Sequence, residues 1–281
     1  MTSCLASRVA AICWIGLAPL LASAAAAQAP AASTDPARKF EITDNSFLVE
    51  EAFNQERRIF QNILSWAWSK NGDWTASFTQ EWPVFRKTHQ LSYTIPLSHG
   101  DAGTGINDVL LNYRYQVWDE TKSHPALSPR LSVVLPTGNA RDGFGSDVVG
   151  LQVNVPFSKQ VRDFYFHWNA GWTWLPRVAS SEKVPTLVNL TSPQLAGSAI
   201  WRLSPMVNLM LETVWQFEES VDAGPGVVRE RRVIISPGFR RGWNIGNRQI
   251  VVGAATPITH ENGDASAAVL TYFSYELPFK Q

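Results

Sequence analysis

Beyond residue 13 the chain contains no cysteine. Its two cysteines, Cys4 and Cys13, both lie in the opening stretch. The remainder of the chain can therefore form no disulfide and no thiolate metal site. An excess of one charge is also missing: 24 Lys+Arg offset 24 Asp+Glu. That balance excludes the basic footprint of a nucleic-acid binder, and no nucleic acid is expected as a partner. After the opening stretch no apolar run approaches the roughly 18 residues that a spanning helix needs. A helical membrane protein is thereby excluded. A membrane β-barrel is not, because its lipid face takes only alternate residues.

Met1–Ala27 carries one positive charge, Arg8, then an apolar run from Val9 to Leu21, then small residues ending Ala25-Ala26-Ala27. It reads as a secretory signal peptide. Residues 28–57 read as a lead-in segment, placed at the periplasmic mouth or in the lumen of a barrel formed by the rest of the chain. Its first part is Ala/Pro-rich. Its second part, Glu41–Arg57, has the period of neither a strand nor a helix. Residues 58–281 form the third unit.

In that unit the apolar residues alternate. In the last segment Val269, Thr271, Phe273, Tyr275, Leu277 and Phe279 share one face, and Leu270, Tyr272, Ser274 and Glu276 the other. A period of two means a strand with two unlike faces. Taken alone, such a strand suits a soluble sandwich or a membrane barrel. About twelve segments of about ten residues repeat the pattern, an even number that suits a bacterial barrel. With the N-terminus periplasmic, the long connections (Thr137–Ser146, Leu175–Ser192, Glu219–Val227) fall outside. Short ones such as Phe85–Lys87 and Ser204-Pro205 fall inside. Trp66, Trp74, Trp172 and Trp215 gather at outer strand ends, and Trp82, Trp201, Tyr275 and Phe279 at inner ends. Two aromatic girdles mark two membrane interfaces; a sandwich core gives no reason for them. The expected fold is an all-β, antiparallel up-and-down transmembrane barrel of about 12 strands, in the cell outer membrane.

Several stretches carry a resemblance: Asp44–Glu56 (Asp-Asn-Ser-Phe-Leu-Val-Glu-Glu-Ala-Phe-Asn-Gln-Glu), Phe78–Pro83 followed by His89–Pro96, Asp108–Tyr115, and Pro129–Gly138. Together they resemble the family of outer-membrane transporters named for the MetA pathway of phenol degradation. The resemblance implies an outer-membrane barrel that moves small, often aromatic, compounds. It implies no catalytic residue. Barrel-closing strands usually end on the aromatic itself, and here Lys280-Gln281 follow Phe279.

Parity aims Glu81, Arg114, Arg130, His167, Arg202, Glu212 and Glu276 into the lumen. There they could line a conduit and set its selectivity, or pair across the lumen and brace the wall. His167 has no second His or Cys at ligand spacing, so no metal or cofactor is expected. The glycine-rich Gly138–Ser146 joins no strand to a helix and reads as an exposed loop rather than a phosphate loop. The partners expected are outer-membrane lipid, the barrel-assembly machinery and a small-molecule solute. A passive channel or transporter is the expected function. A structural or adhesive barrel stays open beside it. So does a barrel hydrolase, although His260 and Ser266 at one outer turn are little to build one from.

Overall fold

The computed structural model describes residues 41–42, 44–180, 186–221, 226–246 and 248–279. The expected signal peptide, 1–27, and residues 28–40 of the lead-in lie outside the described residues. Fifteen strand segments join in one antiparallel sheet. They are β1 (Ile59–Ser69), β2 (Trp74–Pro83), β3 (His89–Gly100), β4 (Gly103–Ile106), β5 (Val109–Tyr115), β6 (Ala126–Leu127), β7 (Arg130–Leu135) and β8 (Gly150–Val161). Then come β9 (Phe164–Ala179), β10 (Leu187–Ser204), β11 (Val207–Val221), β12 (Val227–Ile245), β13 (Arg248–Ala255), β14 (Ile258–Glu261) and β15 (Asp264–Pro278).

These segments make twelve staves. β4 and β5 are two pieces of one stave against β3. β6 and β7 are two pieces of another against β8. β13 and β14 share a third, between β12 and β15. Two of the breaks contain a proline, Pro129 and Pro257, which brings no N–H to the ladder. The first and last staves pair from Ile59↔Pro278 to Ser69↔Ala268. The sheet is thus a closed barrel, with every stave paired on both sides.

Alternation sets the facing. On β11, Leu211 is 53% exposed and its neighbour Glu212 is 1% exposed. Outward-pointing Leu64, Leu131, Leu195, Leu211 and Phe239 stay exposed around the circumference. An apolar surface of this extent belongs in lipid. Aromatic rings close it at both ends. Trp66 lies 4.7 Å from Trp74, and Trp74 stacks on His99 at 5.7 Å, at the outer end. At the inner end Phe60 stacks on Phe279 at 4.3 Å and Phe164 on Trp201 at 6.3 Å.

Two expected outer loops are shorter than the sequence suggests. The described parts of Leu175–Ser192 and Glu219–Val227 are largely strand. The β9–β10 ladder runs on to Leu187↔Ala179, and the β11–β12 ladder to Val221↔Val227. These extensions lose the clean alternation that marks a lipid-facing wall, because the ladder continues past the membrane. Gly138–Ser146 is not simply exposed either. It folds back over the outer mouth, and Phe144 is 8% exposed.

Candidate functional site

The inner half of the lumen is occupied by the chain's own N-terminal segment. From Asp44 to Gln55 every residue is buried. The segment enters near the inner rim, where Glu41 meets Arg202 at 3.1 Å. It crosses the lumen and returns to the rim at the start of β1. It forms no strand or helix, so its backbone N–H and C=O groups need partners from elsewhere. Irregular backbone at membrane depth is tolerated only when surrounded by protein or lining a water-filled cavity.

Inward side chains of the wall supply those partners. Leu48 and Val49 N–H donate to Glu212 Oε1 at 2.8 and 3.1 Å. Asn169 brackets Glu50: its Oδ1 accepts from Glu50 N–H at 2.8 Å, and its Nδ2 donates to Glu50 C=O at 2.8 Å. Ala52 N–H donates to Ser158 Oγ at 2.7 Å, and that oxygen lies 2.7 Å from His167 Nδ1. Gln116 accepts from Asn54 N–H at 2.9 Å and donates to Ala52 C=O at 2.7 Å. Gln55 N–H donates to Gln90 Oε1 at 2.6 Å. Arg240 donates to the carbonyls of Asp44 and Asn45.

Two carboxylates of the segment lock it to the wall. Glu50 lies between Arg114, at 2.6 Å, and Arg130, whose Nε donates to both Glu50 oxygens at 2.9 and 3.0 Å. All three side chains are almost completely buried. Asp44 accepts from Tyr272 OH at 2.6 Å and Gln61 Nε2 at 3.0 Å, and from Ser274. Apolar contacts complete the seat. Phe47 lies 4.9 Å from Tyr272, and Phe53 lies 5.7 Å from Tyr165. Phe47 occupies space that only a glycine leaves: a Cβ at Gly253 would stand 2.2 Å from the Phe47 ring.

The inward residues expected from parity therefore fall into several settings. Arg114, Arg130 and Glu212 hold the segment directly. His167 lies against it, with Nε2 3.6 Å from Glu51. Arg202 is at the inner rim with Glu41 and partly exposed. Glu276 is buried near the inner end of β15. Glu81 is fully buried on β2, and neither of its oxygens has a hydrogen-bond partner among the described residues. Arg114 and Arg130 grip the segment through Glu50, and Arg130 also braces the wall, donating to Asn112 at 2.9 Å and to Gln152 at 3.0 Å on the neighbouring staves. Asn169, Ser158, Gln116, Gln90 and Ser274 read in the sequence only as ordinary polar inward residues. A signal was available in Asp44–Glu56 itself, a polar and apolar mixture without a period.

The outer half of the lumen is different. Here a cavity of about 110 Å³ lies under the 138–146 loop. Leu110, Val134, Phe144, Leu175 and Leu190 line it, with Gln152, Thr173 and Glu218 among its polar edges. Asp108 ties the loop down, accepting from Gly138 N–H at 3.0 Å and from Ser146 N–H and Oγ at 2.8 and 2.6 Å. Phe144 sits against Gly105, where a Cβ would come within 2.4 Å of its ring.

No protein-family model matches the chain, and no curated protein matches it in sequence. Solved structures do. An outer membrane channel of Pseudomonas putida F1 superposes with a TM-score of 0.60 at 12% identity, over 81% of this chain and 98% of that one. The NanC porin gives a looser likeness, with a TM-score of 0.48 at 9% identity, over 79% and 100% of the two chains. The first likeness establishes the fold, a closed barrel of the outer-membrane type.

Proposed function

We propose that the protein is a passive channel of the outer membrane for small molecules. Its N-terminal segment closes the inner half, and small apolar or aromatic solutes are its cargo. The observation that carries this reading is the lumen cavity above the segment. At about 110 Å³ it suits a small ring, and Pro96, Leu110, Val134, Phe144, Leu175 and Leu190 give it an apolar wall beside polar residues that include Gln152, Thr173, Asp108, Glu218 and Glu219. The resemblance to the phenol-pathway transporters points the same way. So does the fold shared with an outer membrane channel. Ser158 and His167 do meet, at 2.7 Å, but both are fully buried beneath the segment and Ser158 Oγ accepts from Ala52 N–H, so no solute reaches the hydroxyl and the reading is a conduit rather than a hydrolase.

Liposome swelling tests it, with 4-hydroxybenzoate and gluconate as matched monoanions. Wild-type protein should admit the aromatic anion faster. The cavity-filling pair Val134→Phe and Leu190→Trp should slow it about tenfold while leaving the compact, unheated gel band intact. Equal rates for the two anions, or an aromatic rate unaffected by filling, would overturn the cargo. If a variant lacking residues 41–55 folds and yet neither swells liposomes nor conducts in a planar bilayer, the structural or adhesive reading replaces the channel.

A further inference from the structure

The inner rim around the barrel seam carries cations that the barrel itself leaves unneutralised. Arg57, Arg58 and Arg86, with Phe85 and Phe279, line a concave site of about 390 Å³. None of the three arginines has a carboxylate partner among the described residues, although the exposed Glu56 adjoins them in sequence. Like charges held this close repel one another unless an anion joins them. The local backbone is unusual. Arg58 and Phe85 both take left-handed conformations, at φ 65° and 58°. For a bulky aromatic that is a rare state, and such strain clusters at binding sites. It leaves Phe85 92% exposed, although a phenyl ring gains nothing from water.

The height of the site says what could meet it. Phe279 stacks on Phe60 in the inner aromatic girdle, so the arginines beside it stand at headgroup level. A second pair of arginines lies along the same side of the barrel. Arg248 reaches over the ring of Tyr275, 5.9 Å from its centroid, and donates to its hydroxyl at 2.6 Å. Arg241 lies over Trp243 at 5.2 Å. Tyr275 on β15 and Phe279, one residue past the strand's end, lie four residues apart. Arginine laid on an aromatic face, with its remaining donors free, is suited to phosphate at an interface.

We infer that this rim is a binding site for an anionic phospholipid of the inner leaflet. Arg57, Arg58 and Arg86 hold the headgroup phosphate, and Phe85 and Phe279 contact the glycerol and upper acyl chains. The inference rests on the barrel's membrane setting and is independent of what passes through the lumen.

The test is native mass spectrometry of the full barrel released from micelles holding equal phosphatidylglycerol and phosphatidylcholine. Both lipids carry a phosphate, but only the first has net charge. Phosphatidylglycerol adducts should exceed phosphatidylcholine adducts at least fivefold. In the variant Arg57→Gln/Arg58→Gln/Arg86→Gln the excess should vanish while the unheated gel band stays compact. Equal retention of the two lipids by wild-type protein would overturn the proposal without any variant. So would undiminished phosphatidylglycerol retention by the triple variant. If excess inorganic phosphate strips the lipid, the site is one for a free anion, and the lipid assignment fails.

Discussion

The inner half of the lumen is packed with chain, while the outer half keeps a cavity. In the inner half the inward wall residues include Glu212, Asn169, Ser158, Gln116, Gln90, Arg114 and Arg130, each bonded to the segment Asp44–Gln55. In the outer half several inward positions are Leu110, Val134, Leu175 and Leu190, and the covering element is a loop anchored by one carboxylate, Asp108. The same alternating wall thus serves two purposes at different heights. Polar side chains belong where irregular backbone must be satisfied. Apolar side chains belong where a space is to be kept without such backbone. Buried polar networks are costly when half satisfied, so the inner half should be the sensitive one.

The largest effect should come from the link that neutralises two buried cations. Glu50→Ala leaves Arg114 and Arg130 facing each other in the interior without their carboxylate. Breaking a buried pair in this way costs about 3–5 kcal/mol. The temperature at which the compact gel band gives way to the unfolded one should fall accordingly, and bilayer conductance should rise as the segment loosens. A loss below about 1 kcal/mol would mean that the segment is not held by its charges.

A smaller effect is expected where the segment's shape, rather than its charge, is challenged. Gly253→Ala pushes a methyl group into the Phe47 ring. Overpacking of this kind costs about 1–3 kcal/mol. The paired variant Gly253→Ala/Phe47→Leu should recover part of the loss in the same melting measurement. Additive losses would show that the two residues do not compete for one space.

The smallest effect on stability is expected in the outer half. Phe144→Ala removes the loop's contact with Gly105 but leaves the wall ladders untouched, and local openings of surface elements cost little of the global stability. The melting temperature should stay nearly constant while proteolysis within the 138–146 loop speeds up severalfold. A large drop in melting temperature would erase the contrast between the two halves.

Much of the wall was legible because a strand in lipid reports its surroundings with a strict period. Leu211 and Glu212 are adjacent in sequence and opposite in environment, 53% and 1% exposed. That difference follows from pleating alone. The number of staves, the girdles and the inward set all follow from the same rule. The ends of β9, β10, β11 and β12 were less legible, because beyond the membrane the two faces no longer meet different media.

The Asp44–Gln55 segment could not be placed in this way. Its partners are scattered around the barrel: Asp44 bonds to Ser274, 230 residues away, Glu50 to Arg130, 80 away, and Asn54 to Gln116, 62 away. The partners follow no fixed sequence spacing, so no repeat records the arrangement. The sequence by itself determined which side chains point inward, since chirality and pleating act within a few residues. Only the closed barrel decided what those side chains hold. A backbone outside any strand or helix takes its shape from the cavity that satisfies most of it, and that cavity exists only once the first and last staves have paired.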